Sequence, residues 1–186
     1  MKAAIHPANH QYIGPLEVDD PAVVDEICRF RVLVWRESGG IAPGAFSDGE
    51  WRDPIDSGSR HWVIRHRDGS LIGAGRLSIH ATLSEVHQAD EYFRYGLDLQ
   101  GPIAAPSGVV VSASFRSLGL GRLLLDVQER AARDEGARYA VRQASPRMVR
   151  LLEHRGWRIV GPASLDPRFP GVEFQVAILK LNGAEQ

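Results

Sequence analysis

The sequence predicts an α/β (α+β) fold, and three observations carry that reading. First, a β-branched run, Val109-Val110-Val111, leads through a glycine-containing turn into a segment with helical period. Second, Asp68-Gly69 separates two apolar runs, as a tight hairpin turn does. Third, a strand-like run, a helix start at Ser145-Pro146, a stop at Gly156 and two further strand-like runs follow in that order. With 186 residues, the expectation is one domain over residues 1–186, with chain enough for a sizeable core.

Tyr12-Ile13 and Leu16-Glu17-Val18 suggest a short first strand. Asp19-Asp20-Pro21 then reads as a helix start: an Asp cap followed by Pro at the first position, where its missing N–H is not needed. Val23, Val24, Ile27, Phe30, Arg31 and Val34 follow at helical spacing, and Gly39-Gly40 ends the helix. Cys28 lies inside it and reads as a small core residue rather than a nucleophile. Residues 41–60 form a long loop rich in Gly, Pro, Ser and Asp. Its aromatics, Phe46 and Trp51, either close over a substrate or pin the loop to the core. His61–His66 and Leu71–Ile79 are the two arms of the hairpin.

The stretch from His80 to Pro106 is the least regular, with a short helix expected within Ser84–Phe93. Pro102 and Pro106 keep the approach to the Val109 strand extended. In the helix after the motif, Leu120, Leu123, Leu124, Val127 and Ala131 fall at i, i+3, i+4, i+7 and i+11, one face. Arg122, Asp126, Glu129, Arg130, Arg133 and Asp134 lie mostly off it, and Gly136 is the expected C-terminal cap. Strands are expected at Arg138–Ala144, from Trp157, and at Glu173–Lys180 with Phe174, Val176 and Ile178 inward.

The chemistry concentrates between the Val109 strand and the helix after it, in Arg116-Ser117-Leu118-Gly119-Leu120-Gly121-Arg122. The first turn of a helix leaves N–H groups without partners at the positive end of its dipole. Glycines remove the Cβ atoms that would keep a ligand away. Such a site suits a phosphate or pyrophosphate, with Arg116 and Arg122 available for charge-assisted hydrogen bonds. The P-loop pattern requires a Lys that is absent, and the dinucleotide fingerprint requires a third glycine. An ordinary strand–turn–helix with a structural glycine turn is the bland alternative.

The Arg116–Gly121 motif resembles the Gln/Arg-x-x-Gly-x-Gly/Ala signature of the GNAT acyltransferase superfamily, with Phe115 at its commonly aromatic preceding position. The hairpin, with Ile72-Gly73-Ala74 near the start of its second arm, also resembles that family. So does Ser145–Trp157, where Glu153, Gly156 and Trp157 stand at the Glu, Gly and aromatic positions of the family's second signature. The resemblance spans roughly residues 19–180. It implies a central mixed, twisted sheet of about six to seven strands flanked by about four helices.

It further implies transfer of an acetyl group from acetyl-CoA to a primary amine, by direct attack of the amine on the thioester. The substrate class is an amine of a small molecule or peptide. Val109, Val110 and Val111 would pair with the pantetheine amides, and Ser117 to Arg122 would hold the pyrophosphate. Ser145 stands where many members have an Asn that contacts the cofactor arm, and Leu152 where many have the Tyr that protonates the thiolate, so that acid does not carry over. Glu85 and His87 are the leading candidates for the general base, with His80, His154 and Glu173 behind them; Ser112 or a water chain is a further route. Arg29–Glu37 faintly resembles the first helix of acyl-homoserine-lactone synthases, which share the fold. A longer acyl-CoA or carrier-protein donor is therefore one alternative, and a non-catalytic acyl-CoA-binding module another.

Composition bounds the rest. A formal charge of −1 gives no global field for nucleic acid or a membrane surface. The single cysteine excludes an intrachain disulfide, and Met1–Pro7 lacks a signal-peptide core; both point to the cytoplasm. No His, Cys or acidic residues stand at metal-ligand spacing, so no metal is expected. The resemblance is compatible with a homodimer.

Overall fold

The computed structural model describes residues 12–181, so the reading of Met1–Pro7 lies outside the described residues. Seven strands form one sheet in the order β1-β2-β3-β4-β5-β7-β6. They are β1 (Tyr12–Val18), β2 (Arg60–His66), β3 (Leu71–His80), β4 (Ile103–Val111), β5 (Tyr139–Ala144), β6 (Arg158–Pro162) and β7 (Gln175–Lys180). Four helices accompany them: α1 (Pro21–Glu37), α2 (Asp90–Phe93), α3 (Leu120–Asp134) and α4 (Pro146–Glu153). The mixed sheet with four helices is the expected architecture.

Local chemistry explains the boundaries. Asp20 caps α1, its carboxylate accepting the Ala22 N–H at 2.9 Å with Pro21 at the first position. Gly136 closes α3 at φ +73°, donating to the Arg133 carbonyl at 2.9 Å. The short first strand expected over Tyr12-Ile13 and Leu16-Glu17-Val18 is β1, with a register shift between Ile13 and Leu16.

Strand alternation places α3 and α1 on opposite faces. Trp62, Ile64, Leu77, Ala104 and Leu124 belong to the core on the α3 side, and Val63, Ala74 and Val110 pack with Ile27, Phe30 and Val34 of α1. Leu120, Leu124 and Leu125 are almost fully enclosed, and burial of each such side chain contributes about 2 kcal/mol. One expectation for α3 fails. Glu129 is buried, because Arg155 and the Trp157 indole both hydrogen-bond its carboxylate.

The feature that positions the site is the pair β4–β5. Among the described residues it is the one parallel pair, and its register ends at Ile103–Tyr139 and Ala104–Ala140. Beyond that point the strands part. The valine triplet is therefore only half enclosed: Val110 is buried, while Val109 and Val111 are intermediate. The Pro106 stretch is part of strand β4, paired with Leu77, and stands past the last β5 partner, where a missing N–H breaks no ladder. Between the Arg76–Ser107 and Ala74–Val110 pairs β4 carries one extra residue. Gly108 occupies this bulge at φ +63°, and an added Cβ would stand 3.2 Å from the Arg31 guanidinium. Gln128 of α3 donates to the Arg76 and Ser107 carbonyls there, at 2.7 and 2.9 Å.

Candidate active site

The site has two parts, a backbone cradle at the start of α3 and a cavity in the splay. From the end of β4 the chain turns through Ala113–Phe115, and Ser117 and Gly119 both take positive φ, +70° and +80°. Gly119 is the residue before α3, and its carbonyl accepts the Arg122 and Leu123 N–H groups at 3.0 and 3.1 Å. Among the described residues, the N–H groups of Ser117, Leu118, Gly119, Leu120 and Gly121 have no backbone acceptor. Nothing lies within 4 Å of where a Cβ would stand on Gly119 or Gly121. Free donors, the dipole of a fifteen-residue helix and open room together fit an anionic phosphate group.

The motif arginines differ. Arg116 donates from Nη2 to the Ser38 hydroxyl at 2.9 Å and lies against the Val111 carbonyl at 3.4 Å, so it ties the loop to the end of α1. Arg122 is exposed. Ser145 starts α4 through its carbonyl, which accepts the Met148 N–H at 2.8 Å; its side chain makes no capping bond and faces the cavity.

That cavity, of about 160 Å³, spans the splay. Ala105, Val110 and Val141 come from the α1 side of the sheet, and Arg142, Ala144 and Met148 from the α3 side. Trp35, Trp51, Phe169 and Phe174 close one end. The loop aromatics pin the loop, as one of the two expectations has it. Phe46 and Trp51 stack at 5.4 Å, Trp51 lies 4.8 Å from Phe169, and Trp51 also lines the cavity.

A buried ion cluster supports the cavity wall. Arg31 donates from Nη1 to both Asp56 carboxylate oxygens at 2.9 Å. Arg76 donates to Asp56 at 2.9 Å and to the Ser107 hydroxyl at 3.0 Å, and lies 2.9 Å from Asp53. Two guanidinium groups thus face two carboxylates. Burial opposes charge on Asp56, but Arg31 and Arg76 outweigh it and hold its pKa below the usual carboxylate range. His61 donates from Nε2 to the Asp56 carbonyl at 2.9 Å, leaving Nδ1 buried without a partner, and burial pushes its pKa down. Cys28 is fully buried, and burial raises its pKa, so its thiol stays protonated.

The candidate bases separate. His87 is half-buried and lines the cavity. Glu85 is exposed; its carboxylate accepts the Ala81 N–H at 2.9 Å and closes the turn Leu83–Glu85. His80 lies 2.9 Å from the Ser78 hydroxyl, with its pKa lowered by burial. His154 and Glu173 are exposed. Leu152 is fully enclosed in the core on the α3 side.

Two cavity residues escaped the sequence reading. Tyr92 is 3% exposed, and burial raises the pKa of its phenol, which stays protonated. Arg142 is buried in mid-strand. Its signal was present in the alternation of β5, which sets Ala140, Arg142 and Ala144 on one face. Among the described residues, no group of three or more His, Cys, Asp or Glu side chains stands together as a metal site. No described helix is long and apolar enough to cross a membrane.

The sequence matches the family model described as the Acetyltransferase (GNAT) family over residues 24–157. No curated protein matches it. Among solved structures, TofI in a ternary complex with an inhibitor and MTA is similar at TM-score 0.65 and 18% identity, covering 92% of each chain. The AHL synthase LasI is similar at TM-score 0.64 and 17% identity, covering 91% of this chain and 92% of its own. A GCN5-related N-acetyltransferase from Kribbella flavida gives TM-score 0.56 and 20% identity, over 89% of this chain and 97% of its own.

Proposed function

This chain belongs to the GNAT acetyltransferase family, as an acyl-CoA N-acyltransferase, and from that premise we propose that it moves an acetyl group from acetyl-CoA to a primary amine of a small molecule or peptide. The observation that carries the reading is a coincidence of place. The free N–H groups at the start of α3 follow directly on the strand whose partner parts from it. A donor anchored by its pyrophosphate on Ser117–Arg122 lies along the open edge of Val109–Val111 and reaches the cavity with its acyl end.

When bound, acyl-CoA supplies the thioester carbonyl that the amine attacks. The chain's own groups do the rest. The cradle and the strand edge fix the geometry, which is the larger part of catalysis for such a reaction. His87, at the cavity wall, takes a proton from the substrate ammonium and so frees the amine lone pair to attack. Tyr92, a phenol on the cavity lining, returns a proton to the thiolate, the role that Leu152 cannot fill. The aromatic wall of Trp35, Trp51 and Phe169 excludes water from the amine's side.

The test is thiol release from acetyl-CoA in the presence of a panel of small primary amines and amino-terminal peptides. Amine-dependent release is expected, with Tyr92→Phe lowering kcat by about tenfold or more at little cost in KM. Binding of acetyl-CoA with no release for any amine would support the non-catalytic module instead. A longer acyl donor is favoured over acetyl-CoA if release appears only with a longer chain, as the apolar wall of the splay permits.

A further inference from the structure

Arg142 stands in the wall of the splay, and among the described residues no carboxylate hydrogen-bonds its guanidinium. It belongs to β5 opposite Ala177, its residue is 4% exposed, and it lines the cavity. Its Nε and Nη1 have no hydrogen-bond partner among the described residues. The guanidinium lies over the Trp157 ring, 5.8 Å from its centroid. The neighbouring carboxylate, Glu129, is engaged elsewhere: it accepts from Arg155 at 2.9 and 2.8 Å and from Trp157 at 3.0 Å. Burial lowers the Arg142 pKa only to about 10, so the group is a cation at neutral pH. Arg31 and Arg76, the other buried arginines on this cavity, are different, because Asp56 accepts hydrogen bonds from both.

A buried guanidinium without a counter-ion is costly, and a fold keeps one where a ligand completes it. Resting on the acyltransferase reading, we infer that Arg142 is the seat of a substrate carboxylate: one of the two substrates carries a carboxylate that enters the splay and pairs with this guanidinium. A planar guanidinium suits a carboxylate, and Nε and Nη1 are the donors left without a partner. Two sources share that chemistry. One is the donor, as the mono-thioester of a dicarboxylic acid, and Arg142 favours it by facing the α3 side of the sheet, where the cradle opens. The other is the acceptor, as an amino acid whose amine is acylated.

The experiment compares matched pairs that differ in one charge. Succinyl-CoA is set against butyryl-CoA, and a panel of free amino acids against their amides, by calorimetric titration with the wild type and Arg142→Met. The amino-acid arm is run in the presence of CoA. In one of the two pairs, the carboxylated member is expected to bind the wild type at least tenfold more tightly than its uncharged partner. Arg142→Met is expected to bring that pair within about twofold, and Arg142→Lys to restore part of the difference. The pair that shows the preference identifies the source. Arg142→Met is also expected to melt higher than the wild type without ligand, because an unpaired buried charge has been replaced by an apolar stem of similar length. Carboxylate-dependent gain in melting temperature should be confined to proteins with a cation at this position.

Ratios near one in both pairs, with acyl-CoA binding intact, would overturn the carboxylate seat and leave the acyltransferase reading standing. No binding by any thioester would overturn both. A fall in melting temperature for Arg142→Met with unchanged ratios would make Arg142 a structural residue.

Discussion

Asp56→Asn destabilises the fold by about 3–5 kcal/mol, the range for removing one partner of a buried ion pair. That is a large share of the stability of a small protein. The carboxylate faces two guanidinium groups at 2.9 Å, from Arg31 and Arg76, and accepts the Asp53 N–H at 2.8 Å. Asn keeps the shape but removes the charge, leaving two buried cations against Asp53 alone. Urea unfolding measures the loss directly. Adding Arg31→Met to Asp56→Asn should recover part of it, since one of the uncompensated charges is then gone. A loss below about 1 kcal/mol would mean that water or a relaxed Asp53 replaces the carboxylate. The acid limb provides an independent check. His61 has a lowered pKa in the folded state, so stability falls as pH drops below about 6.5, where the unfolded imidazole takes up a proton that the folded one resists. Asp56 has a lowered pKa, so its contribution is complete above the ordinary carboxylate value and is lost as pH falls below about 4 towards its folded value. In Asp56→Asn the lower of these two limbs should shrink by the Asp56 share, leaving that of Glu17, Glu26 and Asp166, whose carboxyls their arginine partners also hold below the usual range.

The ion cluster also shows where sequence reading stops. The helix start at Asp20-Pro21, the Asp68-Gly69 turn, the Gly119–Leu120 junction and the apolar stripe of α3 are local, and each is written in four to twelve neighbouring residues. Arg31, Asp56 and Arg76 are separated by 25 and 20 positions. They lie on a helix, a turn and a strand, and no period connects them. Arg31 counted as one position on a helical face, although it is 1% exposed and charged. Glu129 was assigned to the polar side of α3 because Arg155 and Trp157, which hold it, come from beyond β5. Glu85 and His87 illustrate the same limit at the site. They are two residues apart and chemically similar as candidates, yet the turn at Leu83–Glu85 folds the carboxylate back on Ala81 while His87 reaches the cavity wall. Composition cannot distinguish them; the turn does.

Gly119→Asp together with Gly121→Asp should weaken acetyl-CoA binding by about 100-fold or more, equivalent to roughly 2.7 kcal/mol or above. Both glycines border the free N–H groups of the cradle, and both have open space where a side chain would project. The added carboxylates therefore enter the volume that a pyrophosphate needs and repel it there, in the field the helix dipole would otherwise lend to the ligand. The choice of Asp keeps the test clean. Near the start of a helix a carboxylate is favourable, and at φ +80° Asp is among the better-tolerated non-glycine residues. The variant should stay folded, by circular dichroism and thermal unfolding, while losing the ligand by calorimetry. Gly121→Ala is the contrast: its methyl group meets nothing within 4 Å and carries no charge, so its effect should be several-fold at most. If the double variant binds as tightly as the wild type, the phosphates do not rest on this helix, and the glycines serve only the turn. If it loses binding while Gly121→Ala retains it, the phosphates occupy the space in front of the free N–H groups, which a carboxylate fills and a methyl group does not.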